Sequence, residues 1–290
     1  MSDWLQNVSN DTECLEPYTW RVNSLNGLLA EIASIKEVEE APLWRGHADS
    51  TWTLDSTMAR WVQANLRNKT FSSLIERVSP QSSFGDFSRF ALFKFKHALK
   101  PAVAFEDVCR KNNLDPHFEV IKNLQQFPEI YSDWMVQTGT PMLDWSEDPF
   151  LASYFTISNA NGDSLISGQG AIFAFLKSRS GNTWIKTSVD ELFDAWEAAI
   201  DKQEKPGMPL IIHPESQMDE ERPRAQKAVY VLQADLANPL DIYWHKKSEE
   251  IGKQIFLKVL VPSHVKIDLW EYLKGQHITN ESLFPPIKVT

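Results

Sequence analysis

Gly170-Ala171-Ile172-Phe173-Ala174-Phe175-Leu176 is the stretch on which the fold turns. It carries no charge and is rich in aromatic and branched side chains. That content reads as a strand. Three more runs of this kind follow: PLIIH (209–213), AVYVLQ (228–233) and IFLKVLV (255–261). Upstream the texture differs. Ser24 is expected to cap the pattern SLNGLLAEIASI that it opens, whose apolar residues recur at helical spacing. From about Ser56 to Gly139 the spacing stays helical, in FSSLIERV and FSRFALFKFKHAL. Phe84, Phe87, Phe90, Phe93 and Phe95 are expected in the core of that stretch. Shorter extended segments are expected at Ala41 to Trp44, at Trp52 and Leu54, and at Met142 to Trp145. VDELFDAWEAAIDKQ (189–203) and VKIDLWEYLKG (265–275) add helices among and after the strands. Helices dominate the first half and strands the second, so the expectation is an α+β fold with a mixed sheet, not alternating βαβ units.

The chain has 290 residues, enough for one large domain or two small ones, and no low-complexity linker divides it. The expected organisation is a polar, poorly packed tail over residues 1–18 and a single domain over 19–290. Its 29 Lys plus Arg stand against 39 Asp plus Glu, a net charge of -10, which argues against a surface that tracks phosphates along a nucleic acid. The N-terminus has neither a basic nor an apolar signal region, and no apolar run approaches the ~18 residues of a membrane span. A cytoplasmic protein without a membrane partner is expected. Two Cys with no CxxC spacing make a zinc site an unpromising reading, and no metal is expected. Neither GxGxxG nor GxxxxGK[ST] occurs. Trp outnumbers Tyr, 11 to 6, which suits either a deep core or a ligand-stacking cleft.

Four places join polar residues to a structural reason for being fixed. In Trp44-Arg45-Gly46-His47, an Arg at a strand end and a Gly that admits a ligand to the backbone suit anion binding, against the plainer alternative of a surface ion pair. In Gly139-Thr140-Pro141-Met142-Leu143-Asp144-Trp145-Ser146, Asp144 and Ser146 bracket a Trp before a helix that Ser146 is expected to cap, with Pro149 in the first turn. Asp219 to Gln226 runs into a strand on which Arg224 and Gln226 are expected to alternate onto one face. The tail from Gly275 to Phe284 turns from polar to apolar and reads as a docking segment.

At these four places the chain resembles the FRG domain family, from about Val22 onward. An aromatic residue followed by Arg-Gly and W-x-L appears as Trp44-Arg45-Gly46 with Trp52 and Leu54. A Pro-Thr-x-Leu-Leu-Asp-Trp-Thr run before a helix with an aromatic end appears as Gly139 to Ser146, then Pro149 to Phe155. An Arg-to-Gln motif before an aromatic strand appears as Arg222 to Gln226 with Tyr230, and Asn280 to Pro285 resembles the closing segment. Where many members carry Gln-His or His-His before the second motif, this chain has Trp134, Met135 and Val136. The segment from about 66 to 131 looks like a helical insertion between the first two motifs.

The order of elements is also similar to ADP-ribosyltransferases, which hold NAD in the cleft of a split β-sandwich and use no metal. That resemblance implies an enzyme transferring ADP-ribose to a protein or nucleic-acid acceptor, or hydrolysing NAD, and a bacterial defence or toxin setting. The alternative is a non-catalytic module that binds a nucleotide or an anion. By the resemblance Arg45 binds the NAD phosphates, with Gly46, His47, Thr140 and Arg224 around the ligand. Ser146 helps position the ribose, Trp145 or another cleft Trp stacks on nicotinamide, and Gln226 occupies the place of a catalytic Glu. A Gln can hydrogen-bond a ribose hydroxyl but supplies no negative charge, so the charge is expected from Asp144 in the second motif, or from Glu220 or Glu221 if that loop folds back. Arg45 and Arg224 are expected to form a local basic spot in an acidic protein.

Overall fold

In the computed structural model, residues 7–66, 103–111, 115–126, 139–158, 166–180, 185–186, 189, 210–212, 221–233, 236 and 239–285 are described. The phenylalanine cluster expected between 84 and 95, the helix expected over 190–203, and Trp134 to Val136 lie outside them.

Among the described residues nine strands form one open mixed sheet. They are β1 (Thr12–Glu16), β2 (Thr19–Val22), β3 (Leu43–His47), β4 (Met142–Ser146), β5 (Gly170–Phe175), β6 (Ile185–Lys186), β7 (Leu210–Ile212), β8 (Ala228–Leu232) and β9 (Phe256–Val261), in the spatial order β1-β2-β9-β5-β3-β4-β8-β7-β6. Pairing is antiparallel except for β2 with β9 and β6 with β7. The helices are α1 (Leu25–Val38), α2 (Thr57–Leu66), α3 (Val103–Lys111), α4 (Pro116–Gln126), α5 (Pro149–Tyr154), α6 (Lys177–Ser180), α7 (Glu221–Gln226), α8 (Leu240–Ile251), α9 (Ser263–Gly275) and α10 (Asn280–Leu283). This is the α+β class that the order of apolar runs implied.

Alternation along the central strands sorts the core into two layers. Trp44, Ile172, Ala174, Leu257 and Val259 pack with α1, α5 and α9 on one face. Leu43, Phe173, Phe175, Trp145 and Val231 pack with α8 on the other, where Trp244 stacks on Phe175 at 4.4 Å. Every residue of β5 is buried, which is why its sequence shows no polar alternation.

The ladders are unequal. β5 exchanges six register pairs with β9 and five with β3. β3 and β4 share one, Trp44 with Ser146. Past that pair, toward His47 and Met142, no further register pair joins the two strands. The sheet is therefore two laminae, β1-β2-β9-β5-β3 and β4-β8-β7-β6, joined by a seam.

Three local expectations are corrected. Thr12–Glu16 is not loose tail but a strand paired with β2, and Thr12 Oγ1 and the Ser9 N–H both donate to the buried Glu31 carboxylate, at 2.7 and 2.8 Å. Trp52 and Leu54 lie in a turn, not a strand: Leu54 is buried while Trp52 is 52% exposed. The residues before β8 form the helix α7 rather than an extension of the strand. Lys227, at φ 45°, makes the left-handed turn that ends α7 and starts β8.

Candidate functional site

The site is built around the seam. Arg45 leaves β3 with its guanidinium directed across the gap, and its Nη1 donates to the Asp144 backbone carbonyl on β4. A side chain thus supplies a bond where a backbone rung is missing. Its Nε donates to His47 Nε2 at 3.1 Å, which fixes His47 as the acceptor at that nitrogen. His47 is 6% exposed. Burial, and secondly the Arg45 charge, push its pKa down to about 3, so the ring is neutral at physiological pH. Burial also lowers the Arg45 pKa; the Asp144 carboxylate opposes that shift and the charge of Arg60 reinforces it.

Asp144 is exposed between the buried Leu143 and Trp145. Together with Arg45 it lines two cavities. The first, about 320 Å³, lies at that end of the seam between the Gly139–Asp144 segment and the start of α2. Arg60 and Asp55 contribute to it. The second, about 210 Å³, lies against α5, α7 and α10, with Phe155, Arg222, Gln226 and Phe284 in its lining.

The sequence did not single out Asp55 or Arg60. Asp55 is 2% exposed; its Oδ1 accepts from Gln63 and Gln233 amides at 3.1 and 2.9 Å, and its Oδ2 has no partner among the described residues. Arg60 donates to the Asp55 backbone carbonyl at 2.9 Å. The run Asp55-Ser56-Thr57 reads locally as a helix start, and Ser56 Oγ does accept from the Ala59 N–H. That local role hid the tertiary one. The available signal was an Arg one turn into a helix that carries no other charge.

Of the expected site residues, Arg45, Gly46, Asp144, Trp145, Ser146 and Gln226 all border the second cavity, and Thr140 borders the first. Arg224 borders neither. In a helix, residues four apart share a face, so Arg222, not Arg224, joins Gln226 at the cavity, and Arg224 is exposed. The expected basic partner of Arg45 is therefore not Arg224; Arg60 stands in that place.

Other residues are present but already engaged. The Trp145 ring is 3% exposed and packs edge-to-face on Trp244 at 5.3 Å, so it belongs to the core and offers no free face for stacking. Ser146 does not cap α5. Asp148 does, accepting from the Phe150 and Leu151 N–H groups, while Ser146 Oγ accepts from the Asp148 N–H at 3.0 Å and donates to the Gln226 carbonyl at 2.7 Å. Gln226 donates through Nε2 to the Leu283 carbonyl at 3.0 Å. The closing segment docks as expected: Phe284 lies under the Arg222 guanidinium at 4.7 Å and against Phe155. Thr140 is 1% exposed; its N–H donates to Thr57 Oγ1 and its own hydroxyl accepts from Gln125.

Gly46 has a reason other than ligand access. A Cβ there would lie 2.1 Å from the Ala152 carbonyl oxygen, so the glycine lets β3 press against the backbone of α5. Gly139, at φ 65°, has a Cβ position only 2.3 Å from Thr57 Oγ1, and it turns the chain into β4 against α2.

Among the described residues no group of three or more His, Cys, Asp or Glu is arranged to hold a metal ion, and no helix is long and apolar enough to cross a membrane. Compared with family models, with curated proteins and with solved structures, the chain matches none.

Proposed function

We propose that the seam is a nucleotide site and that the protein is an FRG-domain-like enzyme of ADP-ribosyltransferase type, consuming NAD. The observation that carries this is the placement of a fixed guanidinium, Arg45, beside an exposed carboxylate, Asp144, where two cavities meet. A forked donor suits a pyrophosphate. A carboxylate stabilises the oxocarbenium-like state in which the bond between ribose C1′ and the nicotinamide nitrogen breaks. Nicotinamide leaves with the bonding pair. An oxygen or nitrogen of the acceptor, or water in hydrolysis, then bonds to C1′, and its proton passes to Asp144 or to solvent. Gln226 is too far toward structural duty to replace that charge: it carries none, and its amide holds α10.

The test is nicotinamide release and label transfer from labelled NAD by the intact protein. Asp144→Asn is expected to lower turnover by ~10²–10³, as loss of a stabilising electrostatic group does. Absence of NAD binding, nicotinamide release and label transfer together sinks the reading.

A second reading has its own support. Trp145, Ser146 and Gln226 are all committed to internal contacts, which favours a module that binds a nucleotide without turning it over. Saturable NAD binding with intact NAD recovered would select it.

A further inference from the structure

We infer that the first cavity is a diphosphate-nucleotide pocket in which Arg60 is a second phosphate-binding residue beside Arg45. This rests on the nucleotide-site reading and assigns the end of the seam that holds the phosphates. Arg60 and Arg45 both line this cavity, from different elements, α2 and β3. Their charges are close enough to act on each other: Arg60 lowers the pKa of Arg45 and also that of His47. His47 stays neutral under that pressure, so the positive charge at the seam resides on the two guanidiniums. An anion between them offsets their repulsion and takes charge-assisted contacts from the guanidinium N–H groups that Arg45 and Arg60 do not spend on His47, Asp144 and Asp55.

The rest of the lining decides which anion. Asp55 and Asp144 both line the same space, Asp144 exposed and Asp55 buried with an Oδ2 that has no partner among the described residues. Gln125 and Thr57 add neutral polar groups at its edge. A ligand that is negative throughout is repelled by those carboxylates. A ligand whose phosphates adjoin hydroxyl or amino donors satisfies both kinds of group. Nucleoside diphosphates and ADP-ribose have that pattern and inorganic pyrophosphate does not. The second cavity has a different character, with two Phe rings and one guanidinium already stacked on Phe284.

Calorimetric titration of the full chain with ADP-ribose, ADP and inorganic pyrophosphate tests this, using wild type, Arg60→Gln and Arg222→Gln. Arg60 is on the exposed face of α2, so its variant is expected to fold, and a thermal melt verifies that. The expected result is saturable ADP-ribose and ADP binding, at least tenfold weaker in Arg60→Gln and unchanged in Arg222→Gln, with pyrophosphate weaker than either. ADP-ribose affinity unchanged by Arg60→Gln, loss in Arg222→Gln alone, or no binding of any probe overturns the assignment. Pyrophosphate binding as tight as ADP overturns the choice of a nucleotide. The two proposals fail separately. Arg60-dependent ADP-ribose binding without NAD consumption removes only the enzymatic reading, and NAD consumption insensitive to Arg60→Gln removes only this one.

Discussion

At the residue scale, His47 shows how burial sets chemistry. Its folded pKa of about 3 lies below the ordinary value of 6.5. Between those two values the unfolded chain takes up a proton that the folded chain refuses, so acid favours unfolding through that window and the contribution is complete above pH 6.5. The limiting slope is about 1.4 kcal/mol per pH unit. Urea denaturation at pH 7 and pH 5 should therefore show wild type losing about 2 kcal/mol more than His47→Gln, which has no such titration. Equal losses would show that His47 is not held neutral. Legibility at this scale was uneven. Arg45 and Asp144 stood out because a charged side chain interrupts an apolar strand in each case. Asp55 did not, because a polar residue before a helix has a sufficient local explanation. Trp145 was misjudged because a Trp beside polar neighbours reads the same in one dimension whether its ring faces a cleft or a core.

At the scale of elements, the joint between β4 and α5 depends on Asp148. Its carboxylate receives two backbone N–H groups of the first turn and pairs with Lys227 at 2.8 Å. Burial works to raise its pKa, but the Lys227 hydrogen bond and the capping N–H groups outweigh it, and the net shift is downward. Asp148→Ala is expected to cost about 1–2 kcal/mol, the usual value of a lost cap. Asp148→Asn retains the capping oxygen and loses only a part-exposed ion pair, so it should cost under about 1 kcal/mol. Denaturant midpoints that are equal for the two variants would assign the effect to charge instead of capping. The strands β5, β7, β8 and β9 were legible because continuous apolar runs bounded by polar segments have few other solutions; β1, β2 and β6 carry no such run and were not. The helix α7 was not, because its six residues, ERPRAQ, are half charged and complete less than two helical turns. Its identity comes from tertiary contacts: the Ser146 hydroxyl on the Gln226 carbonyl, and α10 packed behind it.

At the scale of the molecule, the seam divides a nine-stranded sheet into unequal laminae held by one backbone pair. Cohesion across it comes from side chains: the Leu43, Trp145, Phe175 and Trp244 layer on one face and the Arg45 bridge at its open end. Local opening follows hydrogen-bond and contact density. Amide exchange should accordingly be slowest along β5 and β9, which share six pairs, and faster at the edges of β3 and β4 that face each other. Uniform protection across β3, β4 and β5 would show that side-chain packing alone closes the joint. No arrangement of this kind can be read from sequence, since the number of rungs between two strands depends on where each is held by its other neighbour.

The single rung also makes the sheet mechanically anisotropic. Pulled in the plane of the sheet, across the strands, a ladder yields where the fewest bonds share the load. That place is the join between Trp44 and Ser146, not the six-pair join of β5 to β9. The five-stranded and four-stranded laminae would part as two intact plates, and the crack would open first at the end where Arg45 reaches over to Asp144.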